Sequence, residues 1–141
     1  RRESEVDYIM QLGRAAAYAI FAVVHIAERG SNGPVQGKDI AATCEMPPGR
    51  LLKILQQLVR ARILSSERGP AGGFRLRRPA AEISMLEIVE AIEGPIDGDF
   101  KVCDGVVNMD LAKDVVGRAC ADVAGFVRDR MRSVNVHTLM G

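Results

Sequence analysis

The sequence of 141 residues predicts a mainly α-helical fold with one small β-hairpin. Five segments are predicted to be helical from the spacing of their apolar residues and from their capping and turn signals, and one short segment alternates apolar and charged residues behind a glycine-rich turn. Clusters of glycine and proline separate these segments. A hydrophobic content of 48% at this length is enough for one domain, or for one domain with an arm.

The N-terminal half contains three predicted helices. The first spans residues 12–28 and is rich in alanine, which suits close packing against another helix. A turn cluster over residues 30–34 ends it, and a short second helix is predicted over residues 37–44. The third is predicted over residues 48–62, because proline is tolerated in the first turn of a helix.

A β-hairpin is predicted directly after the third helix. Residues 63–67 and 74–77 form its strands, and residues 68–73 form a glycine-rich turn. The turn lacks the spacing and the lysine of a nucleotide phosphate loop, so we interpret it as structural. Three helices followed by a basic hairpin predict a winged helix-turn-helix, with recognition helix 48–62 and wing 66–76.

The C-terminal part is predicted to be helical again. Ser84 and Glu87 have the spacing of a capping box in front of a helix over residues 85–93. A polar loop follows over residues 96–108, and then a long helix from about Met109 to about Val134. Its apolar residues recur in steps of four and three, which favours homodimerisation through this helix, with packing back on the first helix as the alternative.

Charge is distributed unevenly along the chain. The net charge of +1 excludes a uniformly basic nucleic-acid coat and a highly charged disordered tail. However, residues 38–78 carry nine basic and three acidic groups, a net charge of +6, whereas residues 79–141 have a net charge of −5. The basic middle indicates a face for a polyanion, and an arginine-rich solvated surface is the alternative.

Several other classes of protein are disfavoured. We expect no membrane span, since the most apolar stretch is too short, and no secretory signal. Three cysteines without a CxxC pattern favour reduced thiols in a cytoplasmic protein. The histidines His25 and His137 form no catalytic or metal-binding pattern with other residues, so we expect no enzyme.

Several segments together resemble the Rrf2 family of bacterial winged-helix transcription regulators, the group of IscR, NsrR and CymR. The most specific segment is residues 68–76, Arg-Gly-Pro-Ala-Gly-Gly-Phe-Arg-Leu, and residues 88–95 are also typical. The resemblance begins near Met10, so residues 1–9 are interpreted as an N-terminal extension. It divides the rest into a winged helix-turn-helix domain (10–80), a helix and linking loop (81–108), and a dimerisation helix with a tail (109–141).

The resemblance implies a dimeric repressor of a pseudo-palindromic operator in double-stranded DNA. It places Gly49, Arg50 and Lys53 of the recognition helix at the major groove, and Arg68 of the wing at the minor groove. The charge pattern and the hairpin add further candidates. The complete set of expected DNA-binding residues is Lys38, Gly49, Arg50, Lys53, Arg68, Gly69, Arg75 and Arg77.

The sensor half departs from the family pattern. Iron–sulfur members carry three clustered cysteines after the Glu-Gly-Pro segment, and only Cys103 stands in that region here. Clusters usually take four thiolate ligands, so we expect no metal site and no cofactor. Cys103 and Cys44 remain candidate redox-sensing thiols. The alternatives are therefore an iron–sulfur, thiol-based redox or nitric-oxide sensor on the same fold, and a protein-interaction winged helix that does not bind DNA.

Overall fold

The computed structural model describes residues 12–98 and 110–141. The predicted extension over residues 1–9, Cys103 and the predicted helix start at Met109 lie outside the described residues. The described part is mostly helical and contains one antiparallel β-hairpin, and both features agree with the fold class predicted from the sequence. Its elements are α1 (Arg14–Arg29), α2 (Gly37–Thr43), α3 (Pro48–Arg60), β1 (Leu64–Glu67), β2 (Gly73–Leu76), α4 (Met85–Glu93), α5 (Asp110–Arg132) and α6 (Val136–Leu139).

Helix α1 forms the centre of the hydrophobic core. Its buried face includes Ala16, Ala19, Val23 and Ile26, all fully shielded from solvent. The alanines have no side chain beyond Cβ, so α4, α3 and β2 pack closely against this face. The alanine-rich segment therefore has the packing role that the sequence predicts.

Helix α3 is amphipathic and ends earlier than predicted. Leu51, Ile54, Leu55 and Leu58 form its buried face. The helix begins at Pro48 as expected but ends at Arg60, so the predicted end at residue 62 is wrong. Arg62 adopts the left-handed region with φ of 61°, and this turns the chain away from the helix axis towards β1.

The hairpin forms close to its predicted strands and is anchored at its base. Strand β1 begins one residue after the predicted start at residue 63, β2 begins one residue before the predicted start at residue 74, and Leu64 pairs with Leu76 and is fully buried. Phe74 exchanges two backbone hydrogen bonds with Val35, at 2.8 and 2.9 Å. At Gly73, a Cβ atom would collide with the Val35 carbonyl, so this close approach requires glycine.

The C-terminal segments pack against the same core. Ser84 and Glu87 form the predicted capping box in front of α4. Helix α5 is tied to the segment that follows α4, since Arg128 donates to the carbonyl oxygen of Ile96 at 3.4 Å. The segment predicted as a tail contains α6, whose Val136 is fully buried and donates its backbone N–H to Ile83 at 2.9 Å.

Candidate nucleic-acid interface

The outer face of α3 presents polar and basic side chains to solvent. Gly49, Arg50 and Lys53 are all exposed, opposite the buried leucine and isoleucine face. Gly49 has open space where a Cβ would stand, so its backbone is accessible to a ligand. An exposed helix face of this composition, held by a rigid core on its other side, has the form of a recognition helix.

The turn of the hairpin exposes Arg68 and is held in shape by its glycines. Gly69 has φ of 105°, a conformation that L side chains rarely adopt, and its carbonyl accepts the Gly72 N–H at 3.0 Å. At Gly72, a Cβ would collide with the backbone of Glu67. The glycine-rich turn is therefore structural, as predicted, and it places an arginine at the tip.

A hydrogen bond fixes the wing tip relative to α2. The Gln36 side chain donates from Nε2 to the Pro70 carbonyl at 3.1 Å. Gln36 immediately precedes α2, where Lys38 is exposed in the first turn. The hydrogen bond thus holds the first turn of α2, which contains Lys38, next to the wing tip, although the two are about thirty residues apart in sequence.

The two remaining candidate arginines differ in their surroundings. Arg75 donates from Nε to Glu67 Oε1 at 2.7 Å, and both side chains are partly exposed. This pair lies on the hairpin face opposite Phe74, because successive residues of a strand point to opposite faces. Arg77 follows β2 and is exposed. The ion pair reduces the positive charge that Arg75 offers to a partner.

A groove separates α3 from the hairpin and was not identified from the sequence. This helix–wing groove has a volume of about 400 Å³. Its lining residues are Leu52, Gln56, Val59, Arg60, Ser66 and Phe74. Residues 52, 56 and 60 are each four apart, so they lie in one row along α3. This spacing is the one feature of the sequence that could have indicated this side of the groove.

Cys44 has surroundings that disfavour a reactive thiolate. It is half-buried beside a shallow pocket that also includes His25 and Glu28. Burial raises the pKa of Cys44, whereas redox-active cysteines usually have a lowered pKa. Burial, with the charge of Arg29, lowers the pKa of His25. Its Nε2 atom is buried and has no hydrogen-bond partner within the part of the chain that the structure describes.

Comparisons with known proteins agree on one family and one fold. A family model described as Rrf2, iron-dependent transcriptional regulator, matches residues 12–141. An HTH-type transcriptional regulator of Mycobacterium tuberculosis is 34% identical over 131 residues, which cover 93% of this chain and 79% of that protein. None of the helices described is long and apolar enough for a membrane span.

Solved structures show the same architecture. CymR, the global cysteine regulator of B. subtilis, superposes with a TM-score of 0.75 at 21% identity, covering 94% of this chain and 97% of that one. The T. potens IscR structure gives a TM-score of 0.71 at 21% identity, covering 95% of this chain and 88% of that one. At these identities the likeness concerns the fold.

The description of the matching family model includes iron, and the described residues do not fit an iron centre. Among residues 12–98 and 110–141, no group of three or more His, Cys, Asp or Glu side chains could hold a metal ion. Cys44 follows α2 and Cys120 lies in the middle of α5, both half-buried. Cys103, the remaining candidate, lies outside the described residues.

Proposed function

The chain belongs to the Rrf2 family of winged helix-turn-helix transcription regulators, and on this premise we propose that it is a homodimeric repressor of a pseudo-palindromic operator. The observation that carries the proposal is the rigid unit formed by α2, α3 and the hairpin. This unit presents the +6 segment to solvent on a complete hydrophobic core. A basic surface on such a fold suits a DNA duplex.

The recognition helix supplies the contacts to bases. Gly49, Arg50 and Lys53 are exposed on α3, which enters the major groove. Arginine can donate two hydrogen bonds to guanine, and lysine can bind either a base or a phosphate. Lys38, in the first turn of α2, contacts the adjoining backbone, where its charge favours a phosphate.

The wing supplies the contact to the minor groove. Arg68 enters it from the tip of the hairpin, and Gly69 allows the backbone to approach closely. Arg77 contributes positive charge at the base of the wing. Arg75 contributes less, because Glu67 already neutralises it.

The dimer forms through α5. The apolar row of this helix, defined as Leu111, Val115, Val116, Val123 and Phe126, is exposed in the single chain, and Phe126 is 78% exposed. A self-complementary apolar stripe suits a two-fold dimer, and two-fold symmetry matches a pseudo-palindromic site. The proposal includes a cytoplasmic location and no catalytic step.

DNA selection tests this function most directly. The purified chain is incubated with a pool of random duplexes, and the bound fragments are sequenced after several rounds. We expect two half-sites related by a two-fold axis, about one helical turn or a multiple of it apart. Sequence-independent recovery, or one unpaired half-site, would contradict the proposal. Repeating the selection with oxidised protein shows whether a thiol controls binding.

A further inference from the structure

The helix–wing groove combines an apolar wall with hydrogen-bond donors. Leu52 and Val59 from α3 and Phe74 from β2 supply the wall. Arg60 and Ser66 supply donors from the two opposite sides, one from the last residue of α3 and the other from β1. Both polar residues are exposed, and neither belongs to the set of DNA-binding residues expected from the sequence.

The donors of the groove retain capacity for a ligand. Arg60 uses only Nε in the described structure, in a long 3.5 Å hydrogen bond to the Gln56 carbonyl of its own helix, so both terminal nitrogens remain available. The described residues give no hydrogen-bond partner to the Ser66 hydroxyl. Glu67, the acidic neighbour, is held by Arg75 on the other face of the hairpin. The groove therefore favours an anion.

The position of the groove identifies the anion. In the proposed complex, α3 lies in the major groove and the wing tip lies in the adjacent minor groove. The two grooves of a duplex are separated by one sugar–phosphate strand, so this strand must cross the space between α3 and the hairpin. That space is the helix–wing groove.

We propose that the helix–wing groove binds one phosphate of this strand, with Arg60 and Ser66 as the donors and Leu52 and Phe74 as the wall that excludes water. This inference rests on the proposed function and adds a binding subsite to it. Phosphate contacts carry no sequence information, so the subsite sets the register and the affinity of the protein on DNA. An apolar wall strengthens the interaction, because it lowers the local dielectric.

The test measures affinity as a function of salt for the full chain and for single variants. Duplex binding is measured between about 50 and 200 mM salt, with a selected duplex and with a scrambled one. For Arg60→Gln we expect about tenfold weaker binding to both duplexes, and a slope of log K against log salt that falls by about 0.9 for each subunit bound. For Arg60→Lys we expect the slope to be retained.

The Ser66→Ala variant distinguishes the contribution of the neutral Ser66 hydroxyl from that of the charged Arg60 guanidinium. We expect about two- to tenfold weaker binding with an unchanged salt slope, because a hydroxyl displaces no counterion. A scan of the duplex with single methylphosphonates, which remove one phosphate charge at a time, locates the contact. One position in each half-site should weaken the wild type but not Arg60→Gln.

Arg118→Gln is the matched control. Arg118 lies on α5 and is also exposed, and its Nε donates to the Asp114 carbonyl at 3.4 Å, as Arg60 does to Gln56. We expect its salt slope to equal that of the wild type, with sedimentation confirming an unchanged oligomeric state.

The possible outcomes separate the subsite from the proposed function. If the wild type binds the selected duplex with a steep salt slope but Arg60→Gln has the same slope, the phosphate subsite is wrong and the proposed function stands. A change in base preference for Arg60→Gln, without a change in slope, also overturns the subsite. If the wild type shows neither sequence preference nor salt dependence, the proposed function itself fails.

Discussion

Helices α1 and α5 differ in how much of their apolar surface is buried. Of the 16 residues of α1, six are buried, and they hold the core of the winged helix together. Of the 23 residues of α5, only Ala124 is buried, while the apolar row remains exposed. The core of the winged-helix unit is therefore complete among residues 12–98 and 110–141, whereas α5 has an apolar face that these described residues do not cover.

The same contrast appears in the charges. The winged-helix unit carries the segment 38–78, with its net charge of +6, on its surface. Exposed positive charge of this kind suits the binding of a polyanion. The part with a net charge of −5 contains α5, which shows apolar side chains and suits a second protein surface. We therefore expect α1 to govern folding and α5 to govern the proposed dimerisation, and substitutions should separate the two effects.

The largest expected effect is on folding, through the buried face of α3. Leu58→Ala should lower the free energy of unfolding by about 2–5 kcal/mol, because it opens a cavity at a fully buried site. Urea unfolding measures this change. Leu52→Ala is the control on the same helix, and since Leu52 is 50% exposed we expect a loss below about 1 kcal/mol. Equal losses would contradict the assignment of the two faces.

Phe126→Ala should have the next largest effect, on assembly instead of folding. Aromatic anchors at interface centres contribute about 2 kcal/mol or more, which corresponds to a roughly thirtyfold higher dimer dissociation constant. Sedimentation equilibrium measures this constant, and urea unfolding of the monomer should change little. Asp114→Ala, an exposed α5 residue off the apolar row, is the control. If Phe126→Ala leaves the dimer dissociation constant unchanged, the dimer interface does not include Phe126.

Arg68→Ala should weaken operator binding by about 1–3 kcal/mol at matched salt. The wing arginine is exposed and is expected to enter a narrow, negative minor groove. Arg75→Ala, measured by the same titration, should cost less, because its guanidinium is already paired with Glu67. Unchanged affinity for Arg68→Ala would refute the proposed contact between the wing and the minor groove. DNA recognition would then rest on the recognition helix alone.

The smallest expected effect concerns the ion pair between Arg78, in the basic segment 38–78, and Glu87, in the acidic segment 79–141. Burial alone would raise the pKa of Glu87, but hydrogen bonds from Arg78 and Ser84 and the Arg78 charge together lower it below its ordinary value near 4.5. The stabilisation by this carboxylate is therefore complete above pH 4.5 and is lost as the pH falls through the lower pKa of the folded state. Urea unfolding of Glu87→Gln should show a weaker loss of stability in acid, and parallel pH profiles would contradict this.

Local patterns predicted the elements well where a short segment decides the outcome. Ser84 and Glu87 are three residues apart, and the capping box forms as expected. Pro48 begins α3 as predicted, because proline needs no N–H donor there. By contrast, the end of α3 depends on Arg62 in a left-handed conformation, which spacing along the helix does not indicate.

The candidate site was predicted less completely, because its residues meet through long-range contacts. The exposure of Arg50, Lys53 and Arg68 agrees with their expected roles, but their contacts with DNA remain predictions. The pairing of Arg75 with Glu67 depends on strand register, and the groove between Arg60 and Ser66 depends on the packing of α3 against the hairpin. Neither arrangement is visible in local periodicity.

The sequence by itself determined the class of fold and the concentration of positive charge in residues 38–78, because these follow from local spacing and composition, and the resemblance of segments such as residues 68–76 indicated the family. Only the tertiary structure decided which face of α5 remains uncovered, that α6 returns to the core through Val136, and that Arg60 and Ser66 face one groove. The physical reason is that burial and register depend on every packed neighbour at once. A residue's own segment sets its conformation, but distant segments determine what it contacts.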